Sequence, residues 1–296
     1  MSDTKIKVQK RVDQLRKEIN YHNYRYHVLD DLAISDFQFD KLLIELKDLE
    51  AQHPELVTPD SPTQRVGAPP AAGFSQVEHP LPMLSLANAF NYQELEMWHH
   101  RATNFLEDAS FDMVCELKID GLAVALAYQD GRLVQGATRG DGYQGEDVTH
   151  NLRAIKSVPL SLIEAQPSWL EVRGEVFMSR EVFAKLNKER EVQGEPLYAN
   201  PRNTAAGSVR QLDPAMTASR DLEIYVYTLG YAQGNGMPNN HWDTLERLKD
   251  LGFRISPHNR ICRSLQEVED YYTQWLEERH DLPFQADGVV VKVNPF

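Results

Sequence analysis

Apolar residues recur every three to four positions through roughly the first fifty residues, and this spacing predicts two amphipathic helices. The first predicted helix covers residues 6–30 and the second covers 36–51. Ser35 stands where the second helix begins and Gln38 follows three residues later, a pair that is typical of a capping box. A short acidic loop joins the two helices, so we predict a small helical module.

A proline-rich stretch follows this module. Seven of the sixteen prolines fall between Pro54 and Pro82, and prolines at this density favour an extended connector. We therefore predict a domain boundary near residue 70, with a helical module at 1–70 and a larger domain at 71–296. The chain stops just after an apolar strand that ends at Val293, so we expect the larger domain to be truncated at its C-terminal end.

From residue 83 onward, alternating and helical patterns interleave. Alternation with a period of two predicts strands at residues 112–119, 122–128, 132–138, 170–177, 222–229 and 287–293. Periods of three to four predict helices at residues 92–106, 179–190, 241–251 and 264–279. Asp130-Gly131 lies between the second and third strands and is typical of a tight hairpin turn. Hairpins mixed with helices favour an α+β fold with mostly antiparallel sheets.

Composition and charge narrow the classes of function. Hydrophobic residues make up 42% of the chain and charged residues 25%, which is ordinary for a soluble protein. The net charge of −13 disfavours a wide nucleic-acid grip by this chain alone, because neutralisation of phosphates dominates such binding. No apolar run is long enough to span a membrane, and no signal peptide is visible. The two cysteines predict neither a zinc site nor a disulfide framework, and we expect a cytoplasmic location.

One predicted strand has an unusual polar face. Its apolar side comprises Met113, Cys115, Leu117 and Ile119. The opposite side carries Lys118 between Glu116 and Asp120, at a spacing of two. An exposed ion-pair ladder is the simplest interpretation of this face. However, a lysine nitrogen that loses its proton is also a covalent nucleophile, so at this point both interpretations stay open.

Charged residues stand in similar settings on three other strands. Arg139 follows a predicted strand and opens a glycine-rich turn. Glu171, Arg173 and Glu175 share one strand face, and for Glu171 and Arg173 an exposed ion-pair face is the simpler expectation. Lys292 lies within an apolar strand, and lysine is rarely buried without a partner. We therefore expect Lys292 to face a cavity or an anion.

Taken together, a lysine nucleophile and two further cations are typical of a site that binds a phosphoanhydride. Arg139 and Lys292 would stabilise negative charge on a phosphorus under attack. They would also oppose protonation of Lys118, which matters because a free lysine has a pKa of about 10.4. Glu116 and Asp120 have the opposite electrostatic effect, and they are better suited to accept hydrogen bonds from an adenine amine or a ribose hydroxyl.

Short motifs in a fixed order resemble one known family. Lys118-Ile119-Asp120-Gly121 matches the Lys-x-Asp-Gly signature of covalent nucleotidyltransferases, which comprise DNA and RNA ligases and mRNA capping enzymes. The set as a whole resembles the bacterial NAD⁺-dependent DNA ligases, from Tyr26 to Val293, and implies the nucleotidyltransferase (ATP-grasp-like ligase) fold. The further matching motifs are Pro82-Met83-Leu84-Ser85-Leu86, Thr138-Arg139-Gly140-Asp141-Gly142, Glu146-Asp147-Val148-Thr149, Glu171-Val172-Arg173-Gly174-Glu175-Val176-Phe177, Asn200-Pro201-Arg202-Asn203, Ala205-Ala206-Gly207-Ser208, Arg210-Gln211-Leu212-Asp213-Pro214 and Asp287-Gly288-Val289-Val290.

This resemblance implies roles for residues of the larger domain. Lys118 would be the nucleophile that becomes adenylated. Glu116 would contact the adenine amino group, and Lys292 would contact the α-phosphate. The other implied residues are Ser85, Leu86 and Asp120 in the nucleotide pocket, Arg139 and Glu175 at the ribose, and Arg202 and Arg210 near the nucleotide or the nick phosphate.

The resemblance extends to the helical module, which in this family holds the nicotinamide mononucleotide half of NAD⁺. The matching residues are Tyr26, His27, Asp36, Phe39 and Asp40. Aromatic faces and carboxylates suit a cationic nicotinamide ring. Two positions depart from the family pattern: Phe39 replaces a tyrosine and lacks its hydroxyl, and Ala87 replaces an aspartate.

The implied reaction begins when Lys118 attacks the α-phosphorus of NAD⁺. Nicotinamide mononucleotide leaves, lysyl-AMP remains, and Mg²⁺ assists by neutralising the pyrophosphate. In the complete enzyme AMP would pass to the 5′-phosphate of a nick in double-stranded DNA, as DNA replication and repair require. The resemblance implies that the DNA-binding segments of the family, and a later lysine, would lie beyond residue 296. We therefore expect a monomer with weak or absent DNA binding, poor nick sealing and no membrane partner.

Two alternatives come from other classes of function. Residues 140–145 formally match G-x-G-x-x-G after a strand, with a helix expected to follow, so a Rossmann-type NAD-dependent oxidoreductase is the main rival. Acids at the start of that helix would repel a pyrophosphate, which disfavours the rival. A non-catalytic nucleic-acid-binding module is the other alternative, and the net charge opposes it. His79, His99 and His100 lack a third ligand at a suitable spacing, so no protein metal site is predicted.

Overall fold

The computed structural model describes residues 3–27, 29, 31, 33–65, 73–107, 110–164 and 167–296. Its helices are α1 (Asp3–His27), α2 (Asp36–Gln52), α3 (Tyr92–Phe105), α4 (Thr149–Ala154), α5 (Arg180–Gln193), α6 (Pro201–Val209), α7 (Pro214–Ala218), α8 (His241–Asp250) and α9 (Leu265–Glu278). Its strands are β1 (Gln76–Glu78), β2 (Met113–Ile119), β3 (Leu122–Gln129), β4 (Arg132–Thr138), β5 (Gln144–Glu146), β6 (Trp169–Phe177), β7 (Glu223–Gln233), β8 (Arg260–Cys262) and β9 (Ala286–Val293). All the predicted helices and strands are present.

The two N-terminal helices pack against each other through their apolar faces. Leu15, Ile19 and Leu46 are fully buried between them. The predicted capping box is confirmed, because the Ser35 hydroxyl accepts a hydrogen bond from the Gln38 backbone while the Gln38 side chain accepts one from the Ser35 backbone at 3.0 Å. Helix α1 ends at His27 rather than at residue 30.

The first part of the proline-rich connector is packed rather than extended. Pro54 and Pro62 each begin a short 3-10 turn, a position that tolerates the missing N–H. Arg65 then donates hydrogen bonds to three backbone carbonyls at 3.0 to 3.1 Å, those of Arg153, Ile155 and Val158. Burial lowers the pKa of Arg65 to about 10, so it stays charged at neutral pH. The predicted extended connector is therefore wrong up to Arg65, and residues 66–72 lie outside the described residues.

Antiparallel sheets form the centre of the larger region, which confirms the α+β prediction. One sheet has the strand order β4-β3-β6-β7 and another has the order β8-β2-β9, with every pairing antiparallel. Strands β1 and β5 pair separately. Asp130 and Gly131 both have positive φ, at 49° and 75°, as a tight hairpin between β3 and β4 requires.

Several apolar clusters hold the sheets in place, and two of them involve the four-stranded sheet. The larger one packs β3, β6 and β7 against α4, α6 and α8. A smaller one joins the two sheets, since Leu117 of β2 packs with Phe177 of β6 and Tyr225 of β7. The elements that sequence patterns missed are short ones, such as α4, α7, β1, β5 and β8, because a few residues carry too little periodicity. No helix in the described parts of the chain is long and apolar enough to cross a membrane.

Candidate active site

Lys118 lies near the end of β2, where this strand pairs with β9. Its Nζ is 2.8 Å from Oδ1 and 2.9 Å from Oδ2 of Asp287. The side chains of Lys118 and Asp287 are 49% and 45% exposed. Lys118 pairs with Gly288 in the ladder, and the register shifts directly after this pair. The pairing of β2 with β9 therefore places the two side chains next to each other, while their exposure leaves them accessible to a ligand.

Gly121 allows the turn after β2 to lie directly on β6. A Cβ atom at this position would be 2.3 Å from the carbonyl oxygen of Val176 and 3.0 Å from Cγ of Glu175. A backbone oxygen gives no room at that distance, so only glycine fits. This close approach accounts for the glycine of the Lys-x-Asp-Gly motif and brings the end of β2 next to Glu175.

Glu116 lies two residues before Lys118 on the same face, but it is buried. The residue is 4% exposed, and its Oε1 contacts the Nζ of Lys292 at 2.8 Å and Nε2 of His241 at 2.6 Å. The Lys292 ammonium also donates to the backbone oxygen of Tyr227 at 2.8 Å and lies 5.2 Å from the centroid of that ring. A surface ion-pair ladder is thus excluded for this part of β2.

The charge of Glu116 is stabilised by its neighbours. Burial raises the pKa of Glu116, but the Lys292 ammonium and the hydrogen bond with His241 outweigh burial, and the pKa lies below its ordinary value. A carboxylate that is buried and paired in this way is ionised at neutral pH. Glu116 is therefore suited to accept a hydrogen bond from a ligand amine.

Glu175 is the second carboxyl near Lys118, and its electrostatics differ. Burial raises its pKa to about 7, while the cations of Arg202, Lys118 and Arg139 oppose this rise. Glu175 is consequently about half protonated at neutral pH. The structure thus brings together, within electrostatic range of one carboxyl, the cations of β2, of the turn after β4 and of α6.

Two arginines lie at opposite ends of α6, the helix that supplies one of these cations. Arg202, near the start of α6, has its Nη1 3.4 Å from Oδ1 of Asp120. Arg210 directly follows α6, and its Nε is 2.7 Å from Oε2 of Glu146. The two arginine side chains are 58% and 47% exposed. Both cations are therefore available to an anionic ligand.

The face shared by Glu171 and Arg173 is buried, so the expectation of an exposed ion-pair face is wrong. Glu171 is 3% exposed, and Arg173 donates to the backbone oxygens of Leu81 and Pro82 at 2.5 and 2.9 Å. Strand β6 lies between β3 and β7, and the segment around Leu81 covers it. Arg173 therefore anchors the start of the next loop.

That loop carries two of the predicted pocket residues, Ser85 and Leu86. Met83 fixes its start, because Met83 is buried and its backbone N–H donates to Gly142 at 2.8 Å. Ser85 and Leu86 are exposed, Leu86 at 61%. Within the described residues neither makes a hydrogen bond or an ion pair with Lys118. Their place in the nucleotide pocket stays a prediction.

The helical module contains the other predicted ligand residues. Tyr26 is 52% exposed and Asp40 is also exposed. Phe39 is half-buried and packs against the core between α1 and α2, so only part of its ring is available to a ligand. The side chains of His27 and Asp36 lie outside the described residues.

Three neighbours of the site were missed by reasoning from single strands. Asp287 occurs in a quoted motif, but nothing in the local pattern identifies it as the partner of Lys118, which is 169 residues away. His241 begins α8, where a histidine carries no particular signal. Tyr227 alternates with apolar residues on β7 and resembles an ordinary strand aromatic. Only the pairing of distant segments reveals these contacts.

The glycine-rich turn does not open a dinucleotide-binding helix. Gly140 and Gly142 have φ of 56° and 98°, and the turn leads into β5 rather than into a helix. A Cβ at Gly140 would be 1.8 Å from the carbonyl oxygen of Gln144, so this glycine serves a tight turn. The sheets are antiparallel instead of parallel. The Rossmann-type oxidoreductase alternative is therefore not supported.

Comparison with known families gives matches over nearly the whole chain. Residues 71–296 match the family described as the NAD-dependent DNA ligase adenylation domain. Residues 5–67 match the family described as the DNA ligase-like, N-terminal NAD⁺-binding domain.

Curated relatives carry the name DNA ligase. The chain is 54% identical to the protein from Dehalococcoides mccartyi over 96% of its own length and 42% of the relative's. It is 48% identical to the protein from Thermotoga maritima over 100% of its own length and 43% of the relative's. The chain thus spans less than half the length of these relatives.

Similarity to solved structures is weak. A mycobacterial DNA ligase D complexed with ATP and MES aligns over 62% of this chain and 49% of that chain, with 13% identity and a TM-score of 0.33.

Proposed function

The chain belongs to the NAD-dependent DNA ligase adenylation domain family, and from this premise we propose that Lys118 takes AMP from NAD⁺. NAD⁺ is consumed as a substrate in this reaction and is not a resident cofactor. The observation that carries the proposal is the setting of Lys118. Its Nζ is held at 2.8 Å by Asp287, in a half-exposed position beside Glu175 and the cations of Arg139 and Arg202.

In the proposed step the Nζ of Lys118 attacks the α-phosphorus of NAD⁺. A phosphorus–nitrogen bond forms, the bond from phosphorus to the oxygen of nicotinamide mononucleotide breaks, and its electron pair leaves with that oxygen. Lys118 must lose a proton, and the Asp287 carboxylate, bidentate at 2.8 and 2.9 Å, is positioned to accept it as the new bond forms. Lysyl-AMP and free nicotinamide mononucleotide are the products.

Arg139 and Arg202 supply the positive charge that this step requires. Both act on Glu175, as Lys118 does, so all three cations lie within electrostatic range of one carboxyl. Cations fixed there stabilise the charge that builds on the phosphoryl oxygens during attack. Arg210, paired with Glu146, lies at the other end of α6 and would face the phosphate of a later substrate.

We assign Lys292 to the base end of the nucleotide instead of the α-phosphate, which revises the role that the family resemblance implied. Its ammonium is committed to Oε1 of Glu116 and the backbone oxygen of Tyr227, both at 2.8 Å. Glu116 as acceptor and Lys292 as donor match the amine and the adjacent ring nitrogen of adenine. The face of the Tyr227 ring lies beside Lys292 and is suited to stack on a base.

Glu175 is assigned to the ribose, together with Arg139. Because burial raises the pKa of Glu175 to about 7, the group changes from donor and acceptor to acceptor only near neutral pH. Ribose hydroxyls can donate to the ionised form. Asp120 directly follows β2, and its Oδ1 lies 3.4 Å from Nη1 of Arg202, so we assign it to the same acidic lining.

Mg²⁺ has no cage of protein ligands in the described residues, where no group of three His, Cys, Asp or Glu side chains is placed to hold a metal ion. Magnesium commonly keeps several waters and binds substrate phosphates with one or two carboxylates. We therefore propose that it arrives with the pyrophosphate of NAD⁺ and neutralises charge there. No residue of this chain is assigned to it.

The helical module at 1–70 is proposed to hold the nicotinamide mononucleotide half of NAD⁺, through Tyr26, His27, Asp36, Phe39 and Asp40. The support is the match of residues 5–67 to the N-terminal NAD⁺-binding family. Because Phe39 packs partly into the module core, we expect it to contribute an aromatic edge only. The remaining region, 71–296, is proposed to be the adenylation domain.

The later reactions belong to the complete protein. There we propose that AMP passes to the 5′-phosphate of a nick in double-stranded DNA and that the 3′-hydroxyl then displaces it, in replication and repair. With a net charge of −13, this chain alone is expected to bind DNA weakly and to seal nicks poorly. A monomeric state and a cytoplasmic location remain predictions, and light scattering measures the first.

A mass measurement tests the proposed step. The chain is incubated with NAD⁺ and Mg²⁺ and weighed intact, while nicotinamide mononucleotide is quantified in the solution. We expect a mass gain of one AMP per chain and an equal amount of released mononucleotide. Lys118→Ala should show neither. A chain that neither gains AMP nor binds NAD⁺, even when extended toward the length of its relatives, would contradict the proposal.

A further inference from the structure

His241 is a buried imidazole at the base end of the site, and it belongs to none of the sequence motifs. The residue is 2% exposed. Its Nε2 lies 2.6 Å from Oε1 of Glu116 and 3.3 Å from Nζ of Lys292. In sequence it is 125 residues from Glu116.

The backbone fixes the position of this imidazole. His241 is the first residue of α8, and its N–H donates to the backbone oxygen of Asn294 at 2.7 Å. The N–H of Trp242 donates to Oδ1 of the same Asn294 at 2.8 Å, and Asn240 forms an isolated bridge with Pro295. The start of α8 is thus joined to the segment that directly follows β9, the strand that carries Lys292.

The hydrogen-bond chemistry assigns the proton on this ring. A carboxylate can only accept, so at 2.6 Å from Oε1 the Nε2 of His241 must carry hydrogen and donate. Lys292 donates to the same Oε1 at 2.8 Å. Two donors, one on a helix and one on a strand, therefore converge on one oxygen of Glu116. Among the described residues, Oε2 makes no hydrogen bond.

The two hydrogen bonds to Oε1 of Glu116 also restrict the position of Oε2. The terminal torsion of glutamate is broad and roughly two-fold, so a single donor leaves the carboxylate plane free to turn. With Lys292 alone, both oxygens of Glu116 can rotate onto the ammonium. The hydrogen bond from His241 opposes this rotation and keeps Oε2 available to a ligand.

We propose that His241 is a positioning residue for base recognition, which fixes Glu116 so that Oε2 meets the exocyclic amine of the adenine ring. The inference rests on the proposed function, in which Glu116 contacts that amine, and it extends it to selectivity. His241 touches no substrate, but it determines how strictly the site prefers a 6-amino purine over a 6-oxo purine.

The preference follows from the edges of the two bases. Adenine presents a 6-amine donor beside an N1 acceptor, which matches a fixed Glu116 acceptor beside the Lys292 donor. Hypoxanthine presents an oxygen at position 6 and a hydrogen on N1, so each contact becomes a repulsion or is lost. Rejection of the wrong base depends on groups that cannot turn away. A Glu116 that is free to rotate loses that rigidity.

Calorimetric binding of two dinucleotides tests the proposal. NAD⁺ and nicotinamide hypoxanthine dinucleotide are titrated into the chain carrying Lys118→Ala, which cannot form the adduct, with His241 intact or changed to Gln or Asn. The amide nitrogen of Gln reaches close to the Nε2 position, whereas that of Asn stops near Nδ1. We expect His241→Asn to weaken NAD⁺ binding about tenfold and to change binding of the hypoxanthine analogue by less than about twofold, with His241→Gln close to the parent.

The ratio of the two affinities separates positioning from a merely structural role. Equal changes in affinity for both dinucleotides, or no change in either affinity, would overturn the role of His241. The proposed function would still stand in that case if the chain that keeps Lys118 forms the adduct. His241→Leu lacks any donor and must give the same loss of preference for NAD⁺ over the hypoxanthine analogue. It therefore replaces His241→Asn if the latter does not fold. A chain that forms no adduct and binds neither dinucleotide would remove the proposed function itself, and this inference with it.

Discussion

Two lysine–carboxylate pairs join β2 to β9, and they differ mainly in their exposure. The side chains of Lys118 and Asp287 are 49% and 45% exposed, whereas those of Lys292 and Glu116 are 20% and 5% exposed. An exposed pair contributes little free energy, so Lys118 can give up its partner at small cost, as the proposed attack on NAD⁺ requires. A buried pair is expensive to break, so it is suited to hold a fixed recognition surface.

The contrast arises although both pairs begin on one strand face. Glu116 and Lys118 are two residues apart on β2, so alternation directs them to the same side. The difference lies in what covers each end. The start of α8, with His241, and the Tyr227 carbonyl close over Glu116, whereas Lys118 lies where the strand meets its turn. Tertiary packing, and not the strand itself, thus separates the exposed lysine pair from the buried one.

Removal of Glu116 should have the largest effect on stability. In Glu116→Ala the Lys292 ammonium stays buried without its carboxylate, and we expect the free energy of unfolding to fall by about 3 to 5 kcal/mol. Urea denaturation followed by circular dichroism measures this. Glu246→Ala, which removes an exposed acid on α8, is the matched control and should change stability by less than about 0.5 kcal/mol. A similar small loss for both variants would mean that the buried pair is not a fixed element.

Glu175 is a further carboxyl near Lys118, and its contribution to the stability of the fold depends on pH. Its pKa is about 7 in the folded chain because of burial, against an ordinary value of 4.5. The folded chain therefore binds this proton more tightly, so the contribution to stability is complete below pH 4.5 and is lost as the pH rises through 7. Relative to Glu175→Gln, we expect the free energy of unfolding of the wild type to fall by on the order of 2 to 3 kcal/mol between pH 4.5 and 7.

Urea unfolding of the wild type and of Glu175→Gln at several pH values between 4.5 and 8 gives the difference between their free energies of unfolding. The difference should fall steadily up to pH 7 and then level off, since both states are ionised above that point. A difference that does not vary with pH would show that Glu175 titrates as an ordinary exposed carboxyl and that burial does not raise its pKa.

Removal of the exposed partner should have the smallest effect on stability and a clear effect on the reaction. In Asp287→Asn we expect the free energy of unfolding to change by less than about 1 kcal/mol, while the rate of AMP transfer from NAD⁺ falls by about 100-fold because the proton acceptor is lost. Glu55→Gln is the matched control, since Lys5 and Glu55 form a pair of similar exposure, 50% and 49%, outside the site. An unchanged rate in Asp287→Asn would remove the carboxylate from the proposed step.

Much of the fold follows from local patterns in the sequence. The alternation along β2 places Leu117 in the apolar cluster between the sheets and Lys118 on the opposite face. The Asp130-Gly131 turn and the Ser35 capping box also form as predicted. These features depend on residues within a few positions of each other, so propensity and period are sufficient to identify them.

The site itself depends on contacts that no local pattern encodes. The partner of Lys118 is determined by the β2–β9 register and its shift after Lys118. The pattern around Lys292 does not indicate that its ammonium donates to Glu116 and to the backbone oxygen of Tyr227. Arg173 pairs with a loop that the sequence pattern leaves undefined. In each case the information lies in the three-dimensional pairing of distant segments.

The most direct test of the central claim is to locate the AMP. After reaction with NAD⁺ the chain is digested, and tandem mass spectrometry identifies the modified residue. Both Lys118 and Lys292 lie next to the nucleotide in this account, so the experiment compares the exposed pair with the buried one. We predict that AMP is attached to Lys118 only. AMP on Lys292, or on any other side chain while Lys118 is unmodified, would contradict the account.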